Sequence, residues 1–173
     1  MITIGLQTAT DFSTAPSIEL FQAWATAVDP MVEAASDVSL RIVDADEMAG
    51  LNQQYRNKAG TTNVLAFPCE LPTELPSDWQ QLGAMSEEET TEELLADATA
   101  EITFLGDIVI CAPVVSAEAQ QQGKSELSHW AHLTVHGILH LLGFDHYEEA
   151  DAERMEDAET AILKKLGFEN PYH

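Results

Sequence analysis

Apolar and polar side chains alternate from the first residues. Ile2, Ile4 and Leu6 face one way in "ITIGLQT" and Thr3, Gly5 and Gln7 the other, the period of a half-buried strand. The period then changes to that of a helix. Ile18, Phe21, Ala25 and Val28 recur at helical spacing, Pro16 suits a first helical position, and Pro30 interrupts or kinks the run. A second strand is predicted from Val38, Leu40 and Ile42 in "VSLRIVD". Asp44 with Glu47 three residues on then makes a capping-box-like start to a helix carrying Met48, Leu51 and Tyr55. "TNVLAFP" and "FLGDIVICA" are short branched or aromatic runs, each predicting a strand buried on at least one face. Pro113 opens a helix that Gly123 stops, and Ser125 caps the next, about Glu126 to Leu142, with Leu133, Leu139 and Leu142 as core contacts. A last helix, about Glu148 to Leu166, turns Met155, Ile162 and Leu166 inward and stops at Gly167. Four strands and about five helices predict an α/β (α+β) protein without internal repeats.

At 173 residues and 45% apolar content, with no Pro/Gly/Ser-rich linker, the chain is read as one domain, 1–173. "MITIGLQT" has neither a basic n-region nor an apolar h-region, and no window approaches the roughly 18 apolar residues of a membrane span. A cytoplasmic protein without membrane contact is expected. Cys69 and Cys111 are too few for a disulfide framework and are expected as reduced, buried thiols. The net charge of −23 repels polyanions at long range, so any nucleic-acid binding must be local. Ten acidic residues and no Lys or Arg fall between Glu70 and Glu101, read as a solvated insertion in which "SEEETTEELLADATA" can form a surface helix.

Candidate chemistry concentrates in "HGILHLLGFDH". Residues four apart on a helix share a face about 6 Å apart along the axis, so His136 and His140 can reach one ion. Gly143 permits a sharp turn, after which His146 can supply a third ligand. Three imidazoles with one open coordination position describe a catalytic rather than a closed structural site and favour Zn²⁺, with Ni²⁺ or Co²⁺ as substitutes. His129 and His132 lie on roughly the same stripe and are expected to support the site or pack rather than ligate. In H-E-x-x-H peptidases the residue after the first histidine is the glutamate base, whereas Gly137 stands here. That weakens a peptidase reading, and Gly137 is expected to leave room beside the metal.

Arg56 and Lys58 are two of only seven basic residues and enter the strand "TNVLAFP" together. Guanidinium geometry matches paired phosphate oxygens, so Arg56 can clamp a phosphodiester, while a surface ion pair with the abundant carboxylates is the alternative. Lys58 is a second candidate for substrate contact. Asp145 can orient a ligand imidazole, act as an auxiliary base or stabilise the turn.

"HGILHLLGFDH" resembles the H-G-x-L-H-L-x-G-x-D-H signature of the YbeY family, bacterial metal-dependent endoribonucleases of ribosomal RNA maturation. "LNQQYRNKAGTTNVLAFP", "LGDIVIC" and "LGFENPY" resemble further segments of that family, so the likeness runs over most of the chain. It implies a mixed four-stranded sheet, a zinc ion at His136, His140 and His146, and a part in catalysis for Arg56 and His136. It also implies single-stranded RNA as substrate, 16S rRNA 3′-end maturation, ribosome quality control, and the ribosome or its proteins as partners. DNA is not expected as a substrate. Ala59, Thr61 and Ala66 depart from the family's usual Asp, Pro and Ser. Beside the nuclease stand two other readings: a ribosome assembly factor with a structural metal, and a metal-dependent hydrolase or peptidase without the usual glutamate.

Overall fold

The computed structural model describes residues 1–12, 14–69 and 102–172. The acidic stretch 70–101 and the helix expected within it lie outside the described residues. Four strands form one mixed sheet: β1 (Ile2–Thr8), β2 (Ser36–Val43), β3 (Val64–Pro68) and β4 (Thr103–Cys111), in the order β1-β2-β4-β3. β1 and β4 run parallel to β2, and β3 runs antiparallel to β4 at the edge. Around the sheet lie α1 (Ile18–Thr26), α2 (Ala45–Arg56), α3 (Ala112–Gln122), α4 (Glu126–Leu141) and α5 (Glu149–Lys165). No helix among the described residues is long and apolar enough to cross a membrane.

The alternation read in β1 and β2 divides their residues between the two faces. Ile2, Ile4, Val38, Leu40, Ile42, Ile108 and Ile110 form one core with α1, α4 and α5. On the other face Val43, Leu65, Val109 and Cys111 pack with Met48 of α2. α4 is buried on most of its circumference, from Trp130 through Leu141, which marks it as the central helix rather than an amphipathic surface one. Trp130 meets Phe21 edge-on at 5.9 Å, fixing α1 against α4. The edge of β1 is blunted by a side chain: Gln22 accepts from the Ile4 amide and donates to the Ile2 carbonyl.

Local signals hold with shifts at the ends. α1 starts at Ile18 with Ser17 at its N-cap, so Pro16 precedes the helix instead of opening it, and Pro30 sits in a 3-10 turn, Asp29–Met31. Asp44 caps α2 by accepting from the Glu47 amide at 2.9 Å, but the Glu47 carboxylate pairs with Arg41 at 2.8 Å instead of closing the box. Ser125 caps α4 through the Ser128 amide. Cys111 is a buried thiol, whereas Cys69 is exposed, since it lies just past the end of β3.

The sequence "LGD" carries a β-bulge. Pairing of β2 with β4 skips Leu105, and Gly106 adopts φ 141°, a conformation that favours glycine. A Cβ there would stand 2.1 Å from the Phe67 carbonyl oxygen and 3.0 Å from a Leu141 methyl. The bulge thus lets β3 and α4 close on the same point of β4.

Candidate metal centre

α4 ends in a Schellman motif. The Phe144 amide donates to the Leu139 carbonyl and the Gly143 amide to that of His140, with Gly143 left-handed at φ 89°. This turn reverses the chain and returns His146 to the helix end. One ligand atom from each of His136, His140 and His146 lies within 4.8 Å of the others, and Nε2 of His136 and of His140 are 3.1 Å apart. Nitrogen ligands of tetrahedral zinc, each at about 2.0–2.1 Å, lie roughly 3.3 Å from one another.

The hydrogen bonds behind the rings test whether these donors fit a cation. His136 Nδ1 is 2.5 Å from the Glu159 carboxylate and His140 Nδ1 is 2.9 Å from the Phe144 carbonyl. Both partners are acceptors, so each neutral ring carries its proton on Nδ1 and turns a bare Nε2 lone pair inward. Burial, then the nearby His136 and His146, lowers the His140 pKa and holds that ring neutral. Two lone pairs 3.1 Å apart repel unless a cation lies between them. The donor set therefore fits an ion held by imidazole nitrogen.

Glu159, on α5, is fully buried and is the residue that sequence reasoning missed. It accepts from His136, from His132 Nε2 at 3.0 Å and from the Tyr172 hydroxyl. Burial pushes a carboxyl pKa up, but the hydrogen bonds from His132, His136 and Tyr172 outweigh it and hold this one at about 2. Its signal was present: Met155, Glu159 and Ile162 share one helical stripe, so a charge occupies a core position. His132 and Glu159, with His136, form a second group able to reach one ion, but their mutual hydrogen bond fits a supporting role. His129 is further away in function. Its Nε2 donates to Glu118 at 2.7 Å, and burial lowers its pKa.

A cleft of about 600 Å³ opens over the three histidines. One wall is the turn from Gly143 to Tyr147, and the other is β3 with Tyr55 and Arg56 from the end of α2. Arg56 is the last residue of α2, which Asn57 ends in a left-handed conformation at φ 52°, and buried Asn52 ties the helix to the following loop by donating to the Gly60 carbonyl. Among the described residues no carboxylate pairs with Arg56. Lys58, expected at the substrate, is exposed and does not line the cleft. Asp145 accepts from the His146 amide at 2.7 Å, a turn contact. Gly137 corrects an expectation, for a Cβ there would meet Ile108 at 3.0 Å. It seats α4 on β4 and leaves no extra room beside the metal.

Comparison with known proteins then decides the family. The family model described as endoribonuclease YbeY matches residues 6–167. The chain belongs to the YbeY family. Proteins named endoribonuclease YbeY from Halorhodospira halophila and Methylococcus capsulatus are each 45% identical to it, covering 92% and 99% of this chain and 90% and 96% of theirs. One from Nitrosococcus oceani is 40% identical over 99% of this chain and 97% of its own. The solution structure of TM1509 from Thermotoga maritima has the same fold, with TM-score 0.55 and 22% identity over 96% of this chain and 89% of that one. Two of the segments that resemble YbeY motifs fall on the cleft: "YR" and "TNVLAFP" form one wall, and "HGILHLLGFDH" supplies the histidines and the turn opposite.

Proposed function

We propose that this YbeY-family chain is a zinc-dependent endoribonuclease, specific for single strands, that acts in the cytoplasm on ribosomal RNA precursors, at the 16S 3′ end and in ribosome quality control. The whole chain, 1–173, is the catalytic unit, with 70–101 as an insertion, and the ribosome or its proteins bring the substrate. One observation supports the nuclease most: three imidazoles, two of them with inward lone pairs, open onto the same cleft as Arg56. The relatives' name, endoribonuclease, supports RNA as substrate.

His136, His140 and His146 would hold the ion, with Ni²⁺ or Co²⁺ able to replace Zn²⁺. When bound, the ion supplies Lewis acidity to a phosphoryl oxygen and brings the pKa of a water to about 7. Glu159 and the Phe144 carbonyl keep two of the imidazoles in the tautomer that can ligate. Arg56 offers two parallel N–H donors to non-bridging phosphate oxygens and stabilises the charge gathered there as phosphorus becomes five-coordinate. Lys58, two residues past Arg56 and exposed, is the lower-ranked candidate for substrate contact, outside the cleft lining.

The test is cleavage of a precursor 16S 3′-end RNA by the zinc-loaded protein beside His136→Ala and Arg56→Ala. The first variant loses metal and cleavage. The second keeps its metal and loses about 10²–10³ in kcat. A cyclic phosphate on the product would identify the RNA 2′-hydroxyl as nucleophile, and a plain phosphate would identify water. Unchanged cleavage by both purified variants overturns the assignment. Absence of cleavage by the wild type even with ribosomes, combined with early melting of metal-free protein, would favour the assembly factor with a structural metal.

A further inference from the structure

We propose that Tyr55 and Tyr147, on opposite walls of the cleft, are stacking platforms for unpaired bases next to the scissile phosphate; the assignment rests on the nuclease reading above. Tyr147 follows His146 directly, and its ring centroid lies 6.1 Å from that imidazole. It is 89% exposed, so its π-face is presented to solvent at the mouth of the metal centre. Tyr55 precedes Arg56, is 57% exposed, and is braced on one side by an edge contact to Phe67 at 5.0 Å. Large aromatic rings left in water beside a polar centre are costly unless something covers them.

Charge supplies the second argument. A strand of phosphates must approach a chain of net charge −23, and Arg56 is the one Lys or Arg among the described residues lining the cleft. Affinity beyond the scissile phosphate therefore has to come from neutral contacts. A base on an aromatic ring supplies one at every sequence, and removal of such a ring lowers affinity by about 5- to 150-fold. Stacking also needs a base with a free face, so the same two residues select single strands over duplex.

The experiment measures kcat and KM of the zinc-loaded protein on a short single-stranded RNA, and on the same RNA with abasic sugars flanking the cut. Tyr147→Ala is expected to raise KM about tenfold with kcat little changed, the pattern of lost uniform binding. Tyr147→Phe, which keeps the ring, restores KM. Abasic substitution should penalise the wild type and leave Tyr147→Ala unaffected at the corresponding position. Tyr55→Ala and Tyr55→Phe are read in the same way, with thermal melting as a check that the Phe67 contact has not cost the fold. Normal KM in Tyr147→Ala, while the wild type cleaves, overturns the stacking role and leaves the nuclease standing. An abasic penalty equal in wild type and variant also overturns it, because the base then rests on another residue. Failure of the wild type to cut any RNA takes down both readings together.

Discussion

Glu159→Gln separates support of the metal site from mere burial. The carboxylate has no exposure and holds three donors, two of them histidine nitrogens at 2.5 and 3.0 Å. Glutamine keeps the volume and can still accept from His136 Nδ1 through its oxygen. It removes the negative charge behind the ring, and it places an amide donor where Glu159 now accepts from His132 and Tyr172. The His136 imidazole becomes a weaker base with a looser orientation. Loss of such a partner typically lowers metal affinity 10- to 100-fold, about 1.4–2.7 kcal/mol. Chelator competition measures this directly, without reference to cleavage. At a fixed free zinc concentration well above both dissociation constants, the same loss removes about 1.4–2.7 kcal/mol of zinc-dependent stabilisation, up to roughly 5–11 °C in melting temperature for a chain of this size. A folded Glu159→Gln protein that binds zinc within about twofold of wild type would refute the argument that this carboxylate tunes the ligand.

Gly106→Ala should be among the most damaging small substitutions, since its Cβ would lie 2.1 Å from a backbone oxygen at φ 141°. A loss of about 3 kcal/mol, roughly 6–12 °C in melting temperature, is expected, and a melt within 2 °C of wild type at about the same scale would refute it. His129 has its pKa lowered from 6.5 by burial, so its contribution to stability is present above that value and is lost as pH falls through the folded pKa. Melting of metal-free protein should drop on acidification below about 6.5, more steeply than that of His129→Gln; parallel profiles would remove His129 as the cause. Cleavage should also depend little on salt. One arginine contact to a single strand gives a slope of about −0.7, roughly a 2.6-fold loss over a fourfold rise in salt, and screening of the repulsion from net charge −23 works the other way. A loss of a thousandfold over that range would require many more phosphate contacts.

What was legible in the chain was what is local. Alternation placed β1 and β2, short branched or aromatic runs placed β3 and β4, and side-chain caps at Asp44 and Ser125 marked two helix starts, because each signal is local. The three histidines were legible for the same reason: one helix and one Schellman turn bring them together. Glu159 was not, because its histidine partners lie 23 and 27 residues away and its charge is lost among neighbours such as Glu156 and Asp157. The strand order was equally hidden. Insertion of β4 between β2 and β3 is what carries the end of α2 round to the histidines, and no local pattern encodes it. Arg56 could therefore be weighed from residue chemistry but not placed.

Gly137 shows how packing limits the chemistry of this centre. The position after His136 lies against the central strand, where a Cβ would stand 3.0 Å from the Ile108 side chain of β4. A glutamate at 137 would have to displace a fully buried side chain of the central strand before it could approach the reacting atoms. A base at the position where a peptidase keeps one would thus compete with the contact that seats α4 on the sheet. Across the cleft, Arg56 on the facing wall is the cation that the proposed function uses for charge stabilisation. That division suits a substrate whose reacting centre already bears a negative charge, as a phosphodiester does and a peptide bond does not.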